Sequence, residues 1–266
     1  MMHSALLKEL SIDCEKCSGL CCVALYCSKT DGFPENKSAD IPCKHLESNF
    51  KCNIHTQLLK KNMKGCLTYE CFGAGQKVTQ LYKSVGNWSS NPTQRKEIYQ
   101  MFLIMTQLYQ MRWYLIQAFD LNVSLEINDK ITALIQENEQ LAGLHPNKLL
   151  SYNLDKYREK TNHILKIIIE QISVPQTEKS KNFLGKNFKG KSLDGKDFSM
   201  SLMIAANLEG CSLKKANFLG ADMRDANVKN TDLSQSLFLT QMQINSTKGN
   251  AATKLPLYLS RPSSWN

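Results

Sequence analysis

The sequence predicts a multidomain fold: a cysteine-rich metal-binding head, an α-helical bundle and a stack of short repeats. Three observations carry this reading. An apolar residue recurs every five positions from Phe183 to Phe238. Nine of the ten cysteines fall within the first 71 residues. Between these stretches, apolar residues return at steps of three and four. The expected boundaries are 1–87 for the head, 88–176 for the bundle, 177–245 for the repeat and 246–266 for a capping tail.

The head comes first. Its cysteines are Cys14, Cys17, Cys21, Cys22, Cys27, Cys43, Cys52, Cys66 and Cys71. The Cys14-x-x-Cys17 spacing lets one turn present two thiolates to one metal ion. Cys21 and Cys22 are adjacent and cannot easily bond each other, so they point to different metals or different edges of a cluster. Cys43, Cys52, Cys66 and Cys71 supply a second set. Eight thiolates suit two four-ligand sites or one polynuclear cluster. His45 and His55 stand beside Cys43 and Cys52 and are possible additional ligands, as is Cys27. Zinc and iron, including an iron–sulfur cluster, share such ligands, so spacing does not separate them. A disulfide framework fits less well, given the odd count and the Cys21-Cys22 pair. The start of the chain shows no basic region followed by an apolar one, so the expectation is a cytoplasmic protein with reduced thiols.

The pattern Cys14-x2-Cys17-x3-Cys21-Cys22, then Cys43-x8-Cys52 with Ile54-His55, then Cys66-x4-Cys71, resembles the YkgJ-type family of zinc- or iron-cluster proteins. That resemblance implies metal binding and no defined reaction. His55 stands where the family has tyrosine, and Cys27 lies outside the pattern. The glycines in Phe72-Gly73-Ala74-Gly75 read as a turn after the last ligand, since the fuller phosphate-loop motif is missing.

The helical middle follows. Ile98, Phe102, Met105, Tyr109, Trp113 and Ile116 mark a helix over residues 93–119. A second runs over 127–141, closed by Gly143 and His145-Pro146, and a third over 149–172, ended by Pro175. Short links predict an antiparallel bundle. Paired carboxylates at active-site spacing, a Ser-His-Asp order and an HExxH motif are all missing. His163 reads as an ordinary helix residue.

Twelve successive pentads follow, from Phe183 through Leu193, Met203, Leu213 and Met223 to Phe238. Neither helix nor strand has a period of five, so the pattern is a repeat whose units stack to bury a continuous core. Small residues (Ser201, Ala206, Cys211, Ala216, Ala221, Ala226) stand two places before the apolar column. Asn or Asp (Asn182, Asn187, Asp197, Asn207, Asn217, Asp222) stands one place before it. This A(D/N)LXX pattern is similar to the pentapeptide-repeat family. The resemblance implies a right-handed quadrilateral β-helix with one pentad per face and four per coil, hence about three coils. Lys181, Lys186, Lys191 and Lys196 occupy the small-residue column in the first coil. Buried unpaired lysine is costly, so this coil is read as the open end, its lysine stems snorkelling outward. Cys211 reads as a small core residue. The ladder is expected to break at Gln243. The tail, with Leu255-Pro256, Arg261-Pro262 and Trp265, resembles the ending of bacterial pentapeptide-repeat proteins that also carry a cysteine-rich head.

With 266 residues, 42% of them hydrophobic, the chain can bury a sizeable core. Its net charge of +9 is spread along the chain and not gathered into one basic run, which argues against a nucleic-acid partner. Apolar runs are too short to span a membrane. The leading function is a metal-binding scaffold for a protein partner. The alternative is a metal-dependent enzyme doing redox or Lewis-acid chemistry on a small molecule or peptide. DNA mimicry against gyrase ranks below both, because residues 181–245 carry nine basic and six acidic side chains.

Overall fold

The computed structural model describes residues 6–7, 9–175 and 180–265. The chain divides into two compact units. The first takes in Met1–Cys66 and Glu70–Ile164, the second Leu67–Tyr69 and Leu165–Asn266. The start of the chain and the expected 176–177 boundary lie outside the described residues.

The head is built from short pieces: 3-10 turns at Cys14–Lys16, Lys29–Asp31 and His55–Gln57, helix α1 (Leu20–Ala24), helix α2 (Lys64–Thr68) and helix α3 (Ala74–Leu81). The long helix α4 (Arg95–Asp120) packs against α1, α3, α5 (Leu125–Ala142) and α6 (Pro146–Ser151). Its predicted apolar stripe is buried, with Phe102, Met105 and Ile116 fully covered. Ser124 caps α5 by accepting the Ile127 amide at 3.3 Å. Arg112 is buried on α4 and reaches Glu139 of α5 at 2.6 Å and Glu9 at 3.4 Å. Tyr157 of α7 (Leu154–Ile172) donates to the Leu134 carbonyl at 2.9 Å, and Asn138 donates to the Leu108 carbonyl at 2.9 Å. The predicted third helix is two helices. Asn153 accepts the Asp155 amide at 3.0 Å and starts α7 afresh, while Pro146 sits in the first turn of α6.

The expected β-helix needs correction. Among the described residues no β-strand and no sheet forms, and the regular secondary structure is helical. The pentads instead alternate two-residue turns with isolated single-residue bridges. Eight of these parallel bridges join residues twenty apart, from Asn182↔Leu202 to Asn217↔Leu237. The physical reason lies two places after each apolar centre. Gly185, Gly190, Gly195, Met200, Ala205, Gly210, Lys215, Gly220, Asp225 and Asn230 all have φ between +53° and +69°. A left-handed residue every fifth position interrupts the extended backbone, so no run of paired residues is long enough for a strand.

The side chains obey the pentad phase. All twelve apolar-column residues are buried, with Phe198 stacked on Phe218 at 5.4 Å and edge-on to Phe183 at 5.5 Å. Where Asn or Asp precedes the centre it turns the chain locally: Asn217 Oδ1 accepts the Leu219 amide at 2.9 Å, and Asp197, Asn207 and Asp232 do likewise. The lysine column is not buried unpaired. Lys186 and Lys196 lay their ammoniums 5.3 to 5.7 Å from the Phe183, Phe188 and Phe198 rings, and Lys181 pairs with Asp197 at 2.8 Å. Cys211 is core, its thiol donating to the Phe188 carbonyl at 2.9 Å.

Helix α8 (Gln241–Asn245) opens at Gln243's turn with a capping box from Thr240. The ladder resumes beyond it, pairing Asn227 with Lys248 and Asp232 with Lys254. Trp265 is buried over Gly249 and donates to the Thr247 carbonyl at 3.0 Å, closing that end. Among the described residues no helix is long and apolar enough to cross a membrane.

Candidate thiol site

The head places its cysteines by turns. Asp13 accepts the Glu15 amide at 3.1 Å and starts the turn that carries Cys14. Gly19, at φ +69°, reverses the chain into α1, which carries Cys21 and Cys22 with their sulfurs 4.0 Å apart. The Cys43 amide donates to the Cys22 carbonyl at 3.0 Å and brings the middle loop beside α1. Cys27 bridges to Lys37, and Cys52 to Leu46. Lys37 pins this loop by donating to the Leu25, Ser38 and Ile41 carbonyls at 2.6 to 3.0 Å.

Two neighbourhoods result. Burial, helped by repulsion from Cys22, Cys27, Cys43 and Cys52, pushes the Cys66 thiol up to about 12. Cys27, outside the predicted pattern, is thus among the thiols that act on Cys66, together with Cys22, Cys43 and Cys52. The second neighbourhood gathers Cys17, Cys22 and Cys71 around Cys21. Cys21 is pushed up first by its hydrogen bond with Cys22, then by burial and by Cys22, Cys17 and Cys71. Burial raises Cys71 to about 11, against the pull of amides donated by Gly75 and Gly73. Beside it, burial lifts the Glu70 carboxyl to about 7. His45 is half-buried and His55 exposed.

The predicted metal sites are not assembled. Among the described residues, no group of three or more His, Cys, Asp or Glu side chains could hold a metal ion. A zinc site needs about four donors within about 2.3 Å of one point. Here Cys14 and Cys66 lie at exposed positions, and the Cys21 and Cys22 sulfurs lie 4.0 Å apart. The metal-binding expectation thus finds no assembled three-donor group among the described residues, and none of the cysteines is in a disulfide.

The closest feature to a site is the start of α3. Gly73 has φ +82° and caps the helix. At Gly75, a Cβ would lie 2.7 Å from the Cys17 sulfur and 3.8 Å from the Cys71 sulfur. The glycines read as a simple turn are therefore where Cys17 meets the helix. Cys17 also lines a cavity of about 350 Å³ with Phe50, Tyr82 and Trp88 on its walls and Lys16 and Lys83 among its lining. Trp88 is fixed by donating to the Ser18 carbonyl at 2.7 Å, and Ser18 donates its amide to the Thr79 hydroxyl at 2.9 Å. The spacing of cysteines gave no signal for this pairing; the glycine four residues after Cys71 was the available one. A second cavity of about 250 Å³ is lined by Cys43, His45, Lys37 and Met63.

The family model described as pentapeptide repeats matches residues 201–238 in eight copies. The chain is 38% identical over 272 residues to the uncharacterized protein YybG of Bacillus subtilis (strain 168), covering 99% of this chain and 98% of that one. No solved structure matches it.

Proposed function

Because the chain belongs to the family of YybG and carries pentapeptide repeats, we propose that it is a protein-interaction scaffold acting in the cytoplasm, with the repeat presenting the docking face. One observation supports this most. The repeat buries its own core completely, yet leaves Leu184, Met200 and Leu202 at 60%, 74% and 48% exposure. Leu202 bridges to Asn182, and the Leu184 side chain follows two residues later, so these leucines belong to successive turns. Met200 precedes Leu202 by two residues and lies against Gly220 of the next turn. Exposed apolar groups gathered this way mark a surface that another protein covers.

The chemistry of that partner follows from the patch. The nearby charges are matched, Arg224 pairing with Asp222 at 2.6 Å, so the complement is an apolar protein surface and not an anionic polymer. The basic balance of the repeat likewise favours a protein partner over DNA mimicry. Among the described residues no group of three donors could hold a metal ion, so the scaffold reading stands on the repeat. The test is cross-linking in the host cell. The wild-type chain should give one discrete complex, and Leu184→Glu with Leu202→Glu should abolish it while leaving the circular dichroism spectrum unchanged. A complex that survives both charges refutes the docking face.

A further inference from the structure

We propose that Cys17 and Cys71 form a working dithiol that exchanges with a small disulfide bound in the cavity beside them. Four observations meet here. Both sulfurs come within 4 Å of the point where a Gly75 Cβ would stand. That point is vacant only because residue 75 is glycine, so the backbone of α3 admits the two sulfurs together. Cys17 lines the 350 Å³ cavity, whereas Cys71 is buried at 8% exposure, so one thiol meets the incoming molecule and the other waits behind it. Both cysteines are unpaired, and the described residues contain no three-donor group that would commit them to a metal.

The cavity also defines the substrate class. Phe50, Tyr82 and Trp88 supply apolar walls, and Lys83 supplies a cation for a carboxylate, while Lys16 is held by Asp13 at 2.7 Å and the lining carboxylate Glu15 by Lys51 at 2.8 Å. A low-molecular-weight disulfide with carboxylate groups, RSSR, satisfies both. The Cys17 thiolate attacks one sulfur of RSSR. A Cys17–SR bond forms, the RS–SR bond breaks, and the first RS⁻ leaves and takes up the proton that Cys17 gave up. Cys71 then attacks the Cys17 sulfur, its proton passing to the departing second RS⁻. The protein ends with a Cys17–Cys71 disulfide and the substrate with two thiols, so RSSR is reduced by two electrons and the dithiol oxidised by two. An external thiol reverses the sequence and restores the protein.

The experiment uses the full chain, reduced, freed of reductant and exposed to glutathione disulfide as the probe. Reaction is stopped by acid and alkylation, and the linkages are mapped by peptide mass spectrometry. The expected product is a Cys17–Cys71 linked peptide. Cys71→Ser should stall at a Cys17–glutathione mixed disulfide, and Cys17→Ser should leave Cys71 alkylated. Gly75→Ala keeps both thiols but pushes a methyl against the Cys17 sulfur, and should lower the linked peptide several-fold. Cys14→Ser should leave it unchanged, which keeps the proposal testable should either serine variant fail to fold. The proposal is overturned by a Cys14–Cys17 link in the wild type, by both thiols staying unmodified, or by metal quantitation that finds a bound ion protecting Cys17 and Cys71 together.

Discussion

Truncating Phe198 to alanine isolates the pentad core from everything else in the chain. The ring is fully buried, stacks on Phe218 at 5.4 Å with planes 19° apart, and meets Phe183 and Phe188 edge-on at 5.5 and 6.0 Å. Removing it forfeits the transfer free energy and opens a cavity that its neighbours cannot fill without breaking their own contacts, a cost of about 3–5 kcal/mol. Each lost aromatic pair contributes about 0.5–1.5 kcal/mol of that. The control is Leu184→Ala, one residue after an apolar centre but 60% exposed, which should stay within about 0.5 kcal/mol. Urea unfolding followed by circular dichroism, extrapolated linearly to water, measures both. The two variants should therefore differ by about a hundred-fold or more in folding equilibrium, at about 1.4 kcal/mol per factor of ten. Phe198→Ala falling within about 1 kcal/mol of Leu184→Ala refutes the assigned phase, since the column could not then be the core.

Further outcomes follow from individual contacts. Gly185→Ala should cost about 1 kcal/mol, because φ is +62° with open space around it, and Gly195→Ala about 2–3 kcal/mol, because its Cβ would also meet the Val174 methyl at 2.5 Å; thermal melts separate the two. Cys211→Ser should be neutral within about 1 kcal/mol, since Thr231 and Ser236 hold the same pentad position and donate to the Leu208 and Leu213 carbonyls at 2.7 and 3.0 Å. The Arg224 hydrogen bond holds the Asp222 carboxyl below its ordinary 3.8, and the Ser234 hydroxyl does the same for Asp232. Their contribution is therefore present above pH 3.8 and lost as pH falls through the depressed folded values, so the urea midpoint should fall below about pH 4, and fall less in Asp222→Asn. Glu139→Ala should destabilise the first unit by about 2 kcal/mol, leaving buried Arg112 with only the longer Glu9 contact, as a urea titration would record.

Much of the repeat was legible because its signal is redundant. The apolar column, the Asn/Asp position and the small-residue position repeat independently, and the side chains obey all three. The open-end lysines were legible from cost alone, since an ammonium without a partner does not stay buried. The absence of strands was not legible. Met200, Ala205 and Lys215 carry no left-handed signature, yet their φ values are +53°, +55° and +56°, close to the +62° to +69° of the glycines at the same position in other pentads. The break between α6 and α7 did leave a trace in Asn153, a good cap hidden within an apolar pattern. The cysteine neighbourhoods left none. Cysteine spacing counts along the chain, whereas Cys71 is brought to Cys17 by the turn at Gly73, and Cys27 acts on Cys66, together with Cys22, Cys43 and Cys52, through turns and single-residue bridges. Loops of that kind carry no periodicity from which to read a distance.

The docking face is tested most directly by placing a photo-crosslinking amino acid at position 202 or, separately, at position 229. Leu202 lies in the exposed apolar patch, and Lys229 is an exposed lysine of another pentad. Irradiation in the host cell should yield one adduct of discrete mass from position 202 and none from position 229. Equal adducts from both positions, or none from 202, would contradict a scaffold that works through Leu184, Met200 and Leu202.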